Sequence, residues 1–142
     1  MIPRFRHLLI PLDFTEKNLT ALNIAFDLAA MNHALVTLLH VVEEIHGEQD
    51  TEVQQFYDRL RNRAEAELET LSQRFDEAGI IVERKVRVGK RLKEIVAVSI
   101  EHNIDLIVMS SHKPDLANLT ETWNTLSYQV SVLCLCPVLL VK

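Results

Sequence analysis

"LIVMSSHKPDLANLTETWNT", residues Leu106 to Thr125, opens as an apolar run and passes straight into a polar loop. An unbroken apolar run of strand length, with polar residues on either side, fits a strand buried on both faces, as parallel sheets require. In such sheets the loop that follows is where anionic ligands are held. Glycines usually line it, because without a Cβ their backbone N–H groups can approach the anion closely. This loop has none, since the three glycines of the chain stand at 47, 79 and 89. Either side chains take over the work of the missing backbone, or the loop holds no ligand.

The rest of the chain repeats the same alternation. "HLLIPLD" (His7–Asp13), "ALVTLLHVV" (Ala34–Val42), "IIVERKVRV" (Ile80–Val88) and "PVLLV" (Pro137–Val141) join the quoted strand as short apolar runs. Between the first two, Leu19, Leu22, Phe26 and Ala29 fall on one helical stripe, and Thr15 is placed to cap that helix. Asp50 to Ala78 carries Val53, Tyr57, Leu60, Ala64, Leu68, Leu71 and Phe75 at helical spacing, with Gly79 positioned to stop it. Leu92, Ile95, Val96 and Ser99 share one face of a third helix, and a last helix is predicted over Leu119–Leu133. Strands alternating with amphipathic helices predict a doubly wound α/β domain, a parallel sheet with helices on both faces, spanning residues 1–142 as one unit. Ligands bind such folds beyond the carboxyl ends of the strands, where the strand order reverses. The candidate loops are those after Leu12, after Val41 and after Met109.

Composition narrows the function classes. A chain of 142 residues with 48% hydrophobic residues can bury a core without disulfide or metal staples. Its formal net charge of −5 argues against non-specific nucleic-acid binding, which needs a basic footprint. No apolar run approaches the roughly 20 residues of a membrane span, and the N-terminus does not read as a signal peptide. Cys134 and Cys136 do not form a secreted disulfide framework, and their Cys-x-Cys spacing is not that of a redox motif. A cytoplasmic protein is expected.

Several segments together resemble the universal stress protein family. "LLIPLDFTEKNLTALNIAFDLA" is similar to that family's first strand, its Asp-containing loop and its first helix. "LLHVVEE" resembles the second strand, "VGKRLKEIVAVSIEHNIDLIVMSSH" the central segment, and "CPVLLVK" the closing strand. The resemblance covers nearly the whole chain in order. It implies a five-stranded parallel sheet of order 3-2-1-4-5, of the adenine nucleotide alpha hydrolase-like type, in a cytoplasmic and usually dimeric protein. Many members bind ATP or AMP, and others bind no nucleotide. In the binding members the loop after the fourth strand carries Gly-x-x-Gly, nine further residues, then Gly-Ser. Here Ser110 and Lys113 stand at the two glycines and Asn124-Thr125 at the Gly-Ser pair, while "SSHKPD" resembles a Ser-His-Arg-Pro-Asp variant of that loop.

The resemblance implies a site built from Pro11, Leu12, Asp13, Val41, Met109, Ser110, His112, Lys113, Asn124 and Thr125. Asp13 would lie beside ribose and the Val41 backbone beside adenine. Without glycines the phosphate would rest on side chains, with hydroxyl and amide donors from Thr125 and Asn124 and positive charge from His112 and Lys113; Pro114 removes one backbone donor. Each residue also has a plainer role. Asp13 can simply end its strand, His112 and Lys113 can belong to a solvated loop, and Asn118 with Glu121 reads as a capping box. Trp123 is expected to pack over the loop, and His40 to be a satisfied core histidine. The His40–His46 region is not expected to hold a metal, since its spacing fits no strong ligand pattern. Walker-type and GxSxG motifs are absent, so no catalytic residue is assigned and no enzyme is expected beyond slow incidental ATP hydrolysis. Two functions remain open: a stress-response protein binding ATP or AMP weakly, or a dimeric interaction protein that has lost its nucleotide. In the implied strand order, the charged third strand and the apolar residues 137–142 form the two sheet edges. The unguarded fifth strand is therefore the expected homodimer surface.

Overall fold

The computed structural model describes residues 4–44, 50–113, 116–118, 121 and 124–142. Strands β1 (His7–Pro11), β2 (Leu35–Glu43), β3 (Val82–Gly89), β4 (Leu106–Ser110) and β5 (Val138–Val141) alternate with helices α1 (Asn18–Asn32), α2 (Thr51–Glu77), α3 (Arg91–Glu101) and α4 (Leu126–Leu133). The strands form one sheet of order β3-β2-β1-β4-β5, and every pairing is parallel. The doubly wound architecture and the 3-2-1-4-5 order expected from the sequence are both present.

Side-chain alternation explains why helices cover both faces. From β1, Leu8 and Ile10 join Leu38 of β2 and Val108 of β4 under α1 and α2, which contribute Leu22, Ala25, Leu68 and Phe75. Leu9 points the other way, into a second cluster with Leu39, Ile107 and Met109 that is closed by Ile95 and Val98 of α3 and Val130 of α4. Leu8, Leu9 and Ile10 are fully buried, which only a strand with a helical layer on each side allows.

Helix α2 is bounded by its sequence. The Asp50 side chain accepts the Val53 N–H at 2.8 Å, and Gly79 takes the left-handed φ of 78° that ends the helix. The Ile80 N–H then reaches back to the Phe75 carbonyl at 2.9 Å, the long bond of a Schellman motif.

Two boundaries differ from expectation. Helix α1 begins at Asn18, and Thr15 does not cap it: the Thr15 hydroxyl donates to Asp13 instead. Its buried stripe is Ala21, Leu22, Ala25 and Ala29, while Leu19 is exposed and Phe26 sits at the margin, edge-on to Phe75. Small side chains let α1 lie close on the sheet, and that turns the buried face away from the larger Leu19. The last helix is also shorter than predicted. Asn124 N–H closes a turn on the Glu121 carbonyl, and Thr125 is extended, so α4 starts only at Leu126. The Asn118 carboxamide lies 3.5 Å from the Glu121 N–H, a long contact in the sense of the expected cap. Trp123 and Pro114 lie outside the described residues.

Strand β1 pairs with β2 through five register positions but with β4 through only two, Leu8 with Leu106 and Leu9 with Ile107. Between β1 and β4 the strand order reverses, and a cleft opens above this short pairing.

Candidate ligand cleft

The cleft has a volume of about 320 Å³. Its apolar wall comes from Pro11 at the end of β1 and Leu12 after it, Leu39 and Val41 of β2, Ile95 of α3, Met109 of β4 and Leu126 of α4. Polar groups converge above it from the loops: Asp13, Thr15, Lys17 and Asn18 from one side, Arg91 from another, and Ser110, Ser111, His112, Thr125 and Ser127 from the third.

Asn18 holds the first loop in shape. It is only 4% exposed, and its carboxamide oxygen accepts both the Asp13 and Phe14 N–H groups at 2.9 Å. Its amide donates to the Ser110 hydroxyl at 3.1 Å, and Ser110 in turn donates to the Lys17 carbonyl. One side chain therefore ties the loop after β1 to the end of β4. It also holds Phe14 at a φ of 65°, a left-handed conformation that costs an ordinary residue roughly 1–2 kcal/mol. The Phe14 ring stacks on His40 with centroids 4.2 Å apart, and His40 Nδ1 donates to the Leu12 carbonyl at 2.8 Å. Such a backbone persists because its surroundings over-determine it.

The charged groups are individually positioned. Asp13 accepts the Thr15 N–H and hydroxyl at 3.0 and 2.7 Å. Burial raises its pKa, but these bonds and the nearby Arg91 charge outweigh that, and the carboxyl sits below its ordinary value. Arg91 Nε lies 3.7 Å from a Glu43 carboxylate oxygen, which joins the first residue of α3 to the end of β2. Lys17 reaches across the cleft to His112 Nδ1. The Ser111 N–H donates to the Val141 carbonyl and its hydroxyl bonds Ser127, which fixes the start of the glycine-free loop to β5 and α4.

Of the ten residues read from the sequence, Pro11, Leu12, Asp13, Val41, Met109, Ser110, His112 and Thr125 line the cleft. Lys113 and Asn124 do not; both are exposed, and the Asn124 N–H is engaged by Glu121. Among the polar residues of the cleft, the sequence reading missed Thr15, Lys17, Asn18, Arg91, Ser111 and Ser127. Arg91 follows the third strand, a loop left out of the candidate set, and its place directly after "VGK" was the available signal. Among the described residues no cluster of three His, Cys, Asp or Glu side chains could hold a metal, and His46 lies outside them. Cys134 and Cys136 are free, and burial pushes both thiols up, which keeps them protonated and weakly nucleophilic.

The universal stress protein family model matches residues 4–142. The chain belongs to the universal stress protein family. Universal stress protein YxiE of Bacillus subtilis is 29% identical, over 97% of this chain and 99% of that protein. The solved structure of MJ0577, a universal stress protein of Methanocaldococcus jannaschii, superposes with a TM-score of 0.76 at 28% identity, covering 97% of this chain and 96% of the other. A universal stress protein solved in complex with cAMP shares the fold, with a TM-score of 0.77 at 19% identity and 97% coverage of each chain.

The site yields two stability predictions. Asn18→Ala strands two N–H groups and cuts the link to Ser110. We expect a loss of about 2–3 kcal/mol in urea denaturation, since each unsatisfied group costs roughly 1–3 kcal/mol and these two are only partly shielded. An unchanged midpoint would show that the loop holds itself. The second concerns pH. Burial lowers the pKa of His40 in the folded protein below its ordinary 6.5, against the opposing bond to Leu12, and burial lowers His7 likewise. A depressed histidine pKa leaves stability intact above the unfolded value, and stability falls once the unfolded chain begins to take up protons. The urea midpoint should therefore fall as pH drops below about 6.5, and His40→Gln should flatten that slope.

Proposed function

We propose that this universal stress protein binds an adenine mononucleotide, weakly, in the cleft between β1 and β4, and acts as a cytoplasmic stress-response protein whose form responds to that ligand. The observation that carries this is one cleft with three chemistries in the right order. An apolar wall with Val41 and Ile95 suits a base. The Asp13 carboxylate, held ionised, suits ribose hydroxyls, and a rim of hydroxyls and cations suits a phosphate. The cAMP-bound member supports an adenine ligand. A volume of about 320 Å³ is at the lower end of the roughly 300–1,000 Å³ typical of ligand pockets and favours a mononucleotide such as AMP over ATP. Weak affinity is the expectation because the loop after β4 offers no glycine cradle. The function is binding without catalysis: the Ser110 hydroxyl is engaged by Asn18 and the Lys17 carbonyl, and that of Ser111 by Ser127. No helix among the described residues is long and apolar enough to cross a membrane. Calorimetry with AMP tests the reading; absence of binding at millimolar concentration would favour the alternative, a dimeric interaction protein without nucleotide, which the missing glycines suggest.

The second part of the proposal is a homodimer through the C-terminal segment 137–142, which contains β5. Edge strands present unpaired N–H and C=O groups and need guarding. The β3 edge carries Glu83, Lys85 and Arg87, and Arg87 is bridged to Glu101. The β5 edge carries apolar residues with Leu139 exposed, and Val132 of α4 and Leu135 just before the strand are exposed as well, at 63% and 96%. A two-fold antiparallel pairing of β5 with itself would close this edge. Light scattering should give a dimer at micromolar concentration that Leu139→Lys weakens more than a charge reversal at Arg87. A monomer, or a dimer indifferent to Leu139→Lys, removes this interface.

A further inference from the structure

Lys17 and His112 are 95 residues apart in the chain, yet their side chains meet at the mouth of the cleft. A lysine ammonium offers donors and no acceptor, so in this contact His112 Nδ1 accepts, which leaves Nε2 as the ring's donor. Among the described residues no carboxylate comes within ion-pair distance of either group, whereas Arg91, the other cation of the cleft, is matched by Glu43. An ammonium and an imidazole thus meet at an exposed position, with no carboxylate matched to either among the described residues. An anion seated against both groups would accept a charge-assisted bond from the Lys17 ammonium and a second bond from the Nε2–H of His112. The hydroxyls of Ser110 and Ser111 stand on the same side of the cleft.

We infer that Lys17 and His112 form a side-chain clamp for the phosphate of the bound mononucleotide, in place of the backbone cradle that glycines would supply. The inference rests on the mononucleotide reading of the cleft and adds where the phosphate is held and by which residues. It moves the anion toward the start of α1, so the positive charge expected from Lys113 comes from Lys17 instead. Phosphate binding would then depend on two side chains from different loops, each replaceable without touching the core.

Calorimetry with AMP and with adenosine, on the wild-type chain and on Lys17→Met, His112→Asn and the charge control Lys93→Met, tests this. Lys93 is exposed on α3 and does not line the cleft. The wild-type protein should bind AMP at least about tenfold more tightly than adenosine. Lys17→Met and His112→Asn should each lower AMP affinity about tenfold or more, because a bond to a charged group carries roughly a decade of affinity. Neither should change adenosine binding, and Lys93→Met should leave both ligands unaffected. Lys17→Arg should retain most of the preference for AMP. Equal wild-type affinities for AMP and adenosine overturn the clamp and leave the cleft as a nucleoside site. AMP binding that survives both Lys17→Met and His112→Asn also overturns it. If neither ligand binds wild-type protein at millimolar concentration, the cleft reading fails and the clamp goes with it.

Discussion

Everything above the sheet depends on β1 being buried on both faces. Leu8, Leu9 and Ile10 have no exposed surface, and each points into one of the two helical layers. The chain leaves the sheet at Pro11, which has no N–H to satisfy, and Leu12 donates its N–H to the Leu39 carbonyl. The polar groups of the first loop then emerge at one place, the carboxyl end of the sheet beside the short pairing of β1 with β4. The cleft is a consequence of topology before it is a consequence of any one residue.

Asn18 converts that opening into a defined site. A buried carboxamide with both ends engaged is stable where a half-engaged one is costly, so its three bonds fix the loop, the start of α1 and the end of β4 together. The same side chain sustains the left-handed Phe14, whose ring covers His40. Stability and the geometry of the candidate site are thereby coupled through one residue. Without glycines in the loop after β4, this universal stress protein keeps a shaped cleft through the Asn18 bonds that hold its first loop.

Much of the fold was legible because strand and helix periods leave strong patterns. Continuous apolar runs placed β1, β2, β4 and β5, an apolar–charged run placed β3, and the double burial of β1 and β4 follows from the former. Gly79 marked the end of α2, since a left-handed glycine is local chemistry, whereas the structure shows that Asp50 caps its start. The start of α1 was misread because Thr15 looks like a cap in isolation, while Asp13 competes for its hydroxyl two residues away. The start of α4 was misread because the Glu121–Asn124 turn and extended Thr125 leave no periodic signature.

The sequence by itself determined the sheet, its layers and the family, since these follow from short-range periodicity and from ordered segments spread along the whole chain. It also placed Asp13, Val41 and Thr125 at the right end of the sheet. Only the tertiary structure decided which charges meet. Lys17 finds His112 across 95 residues, Arg91 finds Glu43, and Asn18 finds Ser110. Lys113 and Asn124, next to cleft residues in the chain, fall outside the cleft. The physical reason is that a side chain's partners in a loop depend on where two separate backbones cross. That crossing is set by how the helices pack, not by the spacing of residues along the chain.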